Sequence, residues 1–253
     1  MIHPTAVVRS DLPEDVCVGP FALVGEDVQV GKDVSIGHCA TVQGPCRLGD
    51  GVVVGPSAVI GTDPQDLKYA GERTELIVGA RTVIREFANI NRGSAATRLT
   101  SVGEDCLVMA YVHVAHDCRI GNGVILANAV NLAGHVEIGD HATVGGVVPV
   151  HQFVRIGCHS MIGGGFRVAQ DVPPYALAGG YPLRVISINS IGLRRRGFDG
   201  ARLDSLEDAF RILFREPGLL SSKARTLLER DDLTEEVRYL ARFVVESSRG
   251  LVS

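Results

Sequence analysis

Residues 102–131 read VGEDCL-VMAYVH-VAHDCR-IGNGVI-LANAVN, five consecutive hexads that each open on an aliphatic residue. The same beat runs outward in both directions, from Leu12 through Val18, Val24, Ile36, Val42, Leu48, Val54 and Ile60 to Leu132, Ile138, Val144, Val150, Ile156, Ile162 and Val168, and only Asp66, Glu72 and Ala96 break it. Six residues is too short for a helical repeat and does not alternate like a hairpin strand, so each hexad reads as one short strand plus a corner. Three hexads close a triangular coil. The aliphatic residue and the small or β-branched residue four positions on (Ala22, Val28, Ala40, Ala58, Val124, Ala142) point inward and stack on their copies about 4.8 Å away in the next coil. Gly follows many of the aliphatic residues, as at Gly19, Gly37, Gly49, Gly121 and Gly139, and is expected to relieve the backbone at the corners.

The fold class that follows is mainly β, a left-handed parallel β-helix. Such a prism buries apolar ladders along its axis only, which suits a chain with 30 Gly, no Trp and few aromatics. Flat outer faces and open sheet edges favour self-association, and a trimer with equivalent faces meeting is expected. The period stops at Pro173-Pro174, so the coil is assigned to residues 1–174 and a small α-helical C-terminal domain to 175–253. Helical spacing is clearest in Ser205–Arg215, Ser222–Glu229 and Thr234–Ser247, with Asp232 before Glu235 as a capping pair.

Composition excludes several classes. Neither a signal peptide nor an apolar run long enough for a bilayer is found, so a soluble cytoplasmic protein with no stable membrane insertion is expected. A net charge of −4 argues against nucleic acid as a partner. The six cysteines lack metal-like spacing, and Cys46, Cys106 and Cys118 fall in the inward small-residue slot, where they read as core-filling thiols.

Two segments, Thr62–Ile77 and Asn91–Ser101, leave the inward pattern and rejoin it. Each reads as a loop thrown out of the prism, either a tolerated surface insertion or, in the first case, a polar clamp built on Asp66 and Lys68 over a groove.

In the uninterrupted part, positions 18 apart stack on one column. His116 then lies below Gly134 and Gly134 below Gln152, Asp117 lies below His135, and His151 and His113 stand close by, whereas His141 and His159 share a column on another face. Four histidines, His113, His116, His135 and His151, are expected to converge on one edge. A free imidazole titrates near pH 6.5 and can take a hydroxyl proton at neutral pH. Asp117 beside it would hold its tautomer, and the N–H of Gly134, with no side chain to shield it, could meet a developing oxyanion. Base plus oxyanion donor points to acyl transfer to an alcohol. The same histidines also raise a zinc reading, which the spacing of His113 and His116 disfavours, so no metal is expected.

At these residues the chain resembles a known family. Gln65–Glu72 (QDLKYAGE), His113–Cys118 (HVAHDC), Leu132–His135 (LAGH), Val150–Phe153 (VHQF), Val168–Tyr175 (VAQDVPPY) and Gly192–Phe198 (GLRRRGF) are similar, in this order, to motifs of the UDP-N-acetylglucosamine O-acyltransferases, and the match runs nearly end to end. The resemblance implies a cytoplasmic homotrimer that begins lipid A synthesis by moving an (R)-3-hydroxyacyl group from acyl carrier protein to the 3-hydroxyl of UDP-GlcNAc. His116 matches the general base, Asp117 its acid and Gly134 the oxyanion contact. Asp66, Lys68, His113, His135, His151 and Gln152 match sugar-nucleotide or acyl contacts, and Asn189 and Arg195 match nucleotide-holding residues. Arg195 offers a planar fork for phosphate, while Arg194 and Arg196 would attract the acidic carrier. No resident cofactor is implied, because the thioester arrives on the carrier's phosphopantetheine. Gly164 matches the acyl-chain ruler, and a glycine there leaves room for longer chains, around 3-hydroxymyristoyl.

Three rivals differ from this reading. The related N-acyltransferases carry an extra N-terminal uridine-binding domain, whereas hexads here begin near Ile2. Acetyl transfer from coenzyme A would be carrier-independent. A non-enzymatic β-helical scaffold leaves the gathered histidines without a purpose. Whether the acceptor bears a 3-hydroxyl or a 3-amino group stays open at this level.

Overall fold

The computed structural model describes residues 1–253. Short parallel strands, most of two residues, form three sheets of eight, seven and ten strands. The eight-stranded sheet runs from Val7–Val8 to Pro149–Val150, the seven-stranded one from Val28–Val30 to Arg155–Ile156, and the ten-stranded one from Cys17–Val18 to Arg184–Ile188. Each sheet is one face of the left-handed parallel β-helix. Val114 pairs with Leu132 and Leu132 with Val150, the eighteen-residue step that three hexads require. Ile60 pairs with Ile90 and Val78 with Val102, so the inward ladder continues across both interruptions, with one register shift where Asn91 pairs with Thr62.

The aliphatic residues that open the hexads are buried from Val18 to Val168, apart from Val30, which packs half-buried against the same core. Cys46, Cys106 and Cys118 are buried free thiols within it, and desolvation pushes Cys46 and Cys118 up to about 12, so these thiols stay protonated and unreactive.

Glycine acts differently from expectation. The corner residues in the left-handed region are mostly not glycine: Asp117, His135 and Phe153 stack at one corner, His141, His159 and Tyr175 at a second, and Phe87, Tyr111 and Val147 at the third, all with φ between 56° and 65°. The glycines of the repeat sit where neighbouring coils touch. A Cβ on Gly37 would lie 2.7 Å from the Pro56 nitrogen, and one on Gly139 would lie 2.5 Å from that of Cys158. Close approach of backbones, and not a positive φ, is what demands glycine there.

Beyond Pro174, strands Ala176–Gly179 and Arg184–Ile188 still extend the ten-stranded sheet, the last pair antiparallel. Four helices follow: α1 (Ser190–Arg195), α2 (Gly200–Phe214), α3 (Leu220–Leu228) and α4 (Glu235–Glu246). Helix α2 starts earlier than its apolar spacing indicates, because Asp199 accepts from the Arg202 N–H at 2.9 Å and caps it. Thr234 caps α4, and Asp232 pairs with Arg230, so the expected Asp232–Glu235 capping pair does not form. After α4 the chain returns to the coil as a strap: Ser247 Oγ donates to the fully buried Asp171 at 2.8 Å, and Asp171 exchanges backbone bonds with Gly250 and Val252. No helix is long and apolar enough to cross a membrane.

The outer surfaces of the faces differ. Outward positions of the seven-stranded sheet include Arg47, Arg119, Glu137 and Arg155, whereas those of the ten-stranded sheet carry Val53, Val83, Leu107, Ile125 and Met161. Exposed Phe87 stacks on Tyr111 at 5.0 Å along the corner bordering that apolar face.

Candidate active site

The strand His113–Val114 leads into the corner where Asp117 lies under His135 and His135 under Phe153. Column stacking is visible in the bonds themselves: the His135 N–H donates to the His116 carbonyl at 3.0 Å. His116 Nδ1 and Asp117 Oδ2 are 2.7 Å apart. An ionised carboxylate only accepts, so Nδ1 carries the proton and Nε2 is left as the free lone pair. Gly134 lies directly over the ring, and a Cβ there would stand 2.6 Å from His116 Cε1 and 2.8 Å from Nε2. Its N–H donates to no backbone carbonyl.

Two more histidines border this pair. His135 meets His116 edge to face at 5.2 Å, stacks on Phe153 at 4.4 Å, and brings Nε2 to 3.7 Å from Asp117 Oδ2. Burial lowers its pKa, the Asp117 charge raises it, His116 lowers it and Asp66 raises it, with the net direction down. His113 is also lowered, by burial first and by His116 second, and its Nδ1 is 2.8 Å from Asn89 Oδ1. Both are held neutral near pH 7 and suited to donating or accepting hydrogen bonds.

Asp117 has no exposed side-chain surface. Its Oδ1 accepts from Ser94 N at 3.1 Å, Thr97 N at 3.2 Å and the Thr97 hydroxyl, and its Oδ2 accepts from Ser94 Oγ at 2.6 Å as well as from His116. Burial works to raise this carboxyl, but the bonds from Ser94, Thr97 and His116 outweigh it and hold it at about 2.

The donors belong to the second interruption, which corrects its reading as a loop thrown outward. Residues 91–94 are buried and Ser94 and Thr97 turn back to Asp117, while 95–98 stay exposed, and the sheet resumes earlier than the spacing indicates, at Leu99–Val102. Arg92, 7% exposed, reaches the Gly44 and Gly61 carbonyls, Asp63 and the Tyr69 hydroxyl, tying this loop to the first one. The first interruption likewise resumes early, at Glu75–Val78. Arg92, Ser94 and Thr97 are absent from the sequence-derived site, and their one signal was the break in period at Ala96.

The remaining expected residues divide. Asp66 stands close enough to His135 to bear on its titration, and its Oδ1 accepts from the Lys68 N–H at 3.0 Å, while the Lys68 side chain is exposed. His151 opens the turn that ends in Phe153, one coil above His135, and its Nδ1 lies 3.1 Å from Arg249 of the strap and 3.2 Å from the Gln152 carbonyl. Gln152 is exposed one coil above Gly134. Asn189 caps α1 and donates to the His159 carbonyl at 2.9 Å, so it belongs to the His141–His159 corner and not to that of His116, while Arg195 is the last residue of α1. Gly164 is exposed, with room for a Cβ limited by the Gly146 carbonyl at 3.1 Å.

His116, Asp117 and His135 offer ligand atoms within 4.8 Å of one another. A carboxylate has about four lone-pair directions, and five donors already converge on this one. Those donors fit an oriented acid–base pair better than a zinc ligand.

Residues 171–252 match the family model described as Udp N-acetylglucosamine O-acyltransferase, Domain 2, and residues 27–62 and 100–134 match bacterial transferase hexapeptide (six repeats). The chain is 43% identical, over 99% of its length and 98% of the relative's, to a Verminephrobacter eiseniae protein named acyl-(acyl-carrier-protein)–UDP-N-acetylglucosamine O-acyltransferase. Among solved structures it resembles a UDP-N-acetylglucosamine acyltransferase from Bacteroides fragilis, with TM-score 0.95 and 38% identity over 100% of both chains. Another, from Campylobacter jejuni, has TM-score 0.89 and 39% identity, again over 100% of both. A histidine oriented by a buried carboxylate on a hexapeptide coil thus sits in a chain whose relatives match it from end to end, and the chain belongs to the UDP-N-acetylglucosamine O-acyltransferase family.

Proposed function

We propose that this acyltransferase moves an (R)-3-hydroxyacyl group from acyl carrier protein to the 3-hydroxyl of UDP-GlcNAc, the opening step of lipid A synthesis, with His116 as general base. The observation that carries the assignment of the base is the 2.7 Å bond from His116 Nδ1 to Asp117, which leaves Nε2 free beneath Gly134. Nε2 takes the proton of the sugar hydroxyl as its oxygen attacks the thioester carbonyl, and Asp117 stabilises the imidazolium that forms. The Gly134 N–H receives the oxyanion. Collapse breaks the carbon–sulfur bond, and the imidazolium returns its proton to the departing phosphopantetheine thiolate. The acyl group arrives already activated, so this reading needs no metal and no resident cofactor.

Asp66, Lys68, His113, His135, His151 and Gln152 are assigned to the sugar nucleotide or acyl chain, and Asn189 and Arg195 to the nucleotide. That Asn189 stands at a different corner from His116 supports a homotrimer in which one copy completes the site of another. The apolar outer face with Val53, Leu107, Ile125 and Met161 supports the same assembly. We assign the chain to the cytoplasm, where nucleotide sugars and acyl carriers are available, with residues 1–174 as the coil unit and 175–253 as a C-terminal unit whose first two strands extend the coil's sheet before its four helices.

The test is to incubate the protein with UDP-GlcNAc and carriers bearing 3-hydroxyacyl chains of different length, then identify product and linkage by mass spectrometry. An ester at the 3-oxygen, formed fastest from chains near 3-hydroxymyristoyl as Gly164 allows, is expected. His116→Ala should stay folded and lose at least about a hundredfold in turnover, the lower range for loss of a general base. Near-normal turnover removes His116 from the mechanism.

A further inference from the structure

Every donor in the cradle around Asp117 other than His116 comes from two residues of one loop, Ser94 and Thr97. Ser94 is 5% exposed, and its backbone and side chain both turn inward to the carboxylate. A surface insertion has no reason to spend two amides and two hydroxyls on one buried anion. The carboxylate also has two imidazoles to choose between: Oδ2 lies 2.7 Å from His116 Nδ1 and 3.7 Å from His135 Nε2. A rotation of the carboxylate would bring it closer to His135 and weaken its hold on His116. Three donors on Oδ1 fix the plane of the group, and Ser94 Oγ at 2.6 Å holds Oδ2 on the side of His116.

We propose that Ser94 and Thr97 are positioning residues of the reaction: acting through Asp117, they select His116 over His135 as the imidazole that becomes the base. The loop's own anchor is Arg92, whose guanidinium is held by the Gly44 and Gly61 carbonyls and by Asp63 and Tyr69 of the neighbouring loop. The acid is thereby mounted on the same frame as the loop bearing Asp66 and Lys68. This inference rests on His116 being the base.

The test is a double-mutant cycle on turnover. Ser94→Ala and Thr97→Val each remove one hydroxyl, and each should lower kcat about tenfold while changing KM for UDP-GlcNAc less than about twofold, because the loss falls on a proton transfer and not on substrate binding. Thr97→Ser and Ser94→Thr restore the donor and should recover most of the rate, which also shows that the loop still folds. In an Asp117→Ala background neither substitution should lower kcat further, since nothing remains for the hydroxyls to position. Equal fold losses in both backgrounds, a change confined to KM, or wild-type rates in Ser94→Ala and Thr97→Val would overturn the proposal. His116→Ala run alongside separates the two failures: if it is inactive while the cycle is additive, the base stands and the cradle falls, and if it is active, the underlying reading falls.

Discussion

Gly134→Ala isolates the packing of the base from its chemistry. The new methyl would lie 2.6 Å from His116 Cε1 and 2.8 Å from Nε2, whereas ordinary carbon–carbon contact needs about 3.5–4.0 Å. The backbone at Gly134 is not in the left-handed region, so the peptide accepts alanine without strain and keeps its N–H. The imidazole must therefore move by roughly 1 Å, and it is held by Asp117 on one side and bordered by His135 on the other. A misplacement of about 1 Å at a reacting group costs on the order of a hundredfold in rate, or about 2.7 kcal/mol of transition-state stabilisation. The assay is initial-rate turnover of a 3-hydroxyacyl carrier with UDP-GlcNAc, beside circular dichroism and sedimentation to show that fold and assembly persist. Because the amide donor survives the substitution, the loss reports the displaced ring alone. A folded Gly134→Ala protein within about threefold of wild type would mean that the ring does not work where it stands, and the geometric argument for His116 would be wrong.

Arg92→Met keeps the unbranched stem of the side chain but removes the guanidinium that bonds the Gly44 and Gly61 carbonyls and Asp63, so a local cost on the order of 2–4 kcal/mol is expected. Faster amide exchange confined to residues 61–72 and 92–98 would show it, and unchanged protection there would refute the anchoring role. Asp117 titrates at about 2 when folded and near the ordinary aspartate value of about 3.9 when unfolded, so its contribution is fully present above about pH 4 and lost as pH falls toward 2. Denaturant titrations at stepped pH should show wild type losing on the order of 2 kcal/mol across that window in excess of Asp117→Asn, and parallel curves for the two proteins would contradict the cradle.

The coil was legible because its information is periodic. Each hexad repeats one demand, an aliphatic residue inward and a small one four later, and the register from Val18 to Val168 follows by counting. Stacking of His116 under Gly134 came out of the same count. What the count does not hold is anything that departs from it. Ser94 and Thr97 lie where the period fails, and His151 is reached by Arg249 of a strap that returns nearly a hundred residues later. The glycines show the limit at finer grain: their positions were periodic, but whether they relieve a corner or admit a neighbouring backbone depended on distances across coils, such as 2.5 Å from a Gly139 Cβ to Cys158.

That division has a chemical reason. A regular repeat gathers side chains along one corner, so the coil alone brings several imidazoles together without setting one of them apart as the base. His113, His116 and His135 gather at the same corner from three different positions of the repeat. What distinguishes His116 is an anion fixed on one side of it, and that anion is fixed by a loop that breaks the repeat. Symmetry of the coil brings the groups together, and the interruption assigns them roles. A relative with the coil intact but residues 92–98 replaced by a plain hexad should therefore assemble normally and retain its histidines, yet lack a base of defined tautomer.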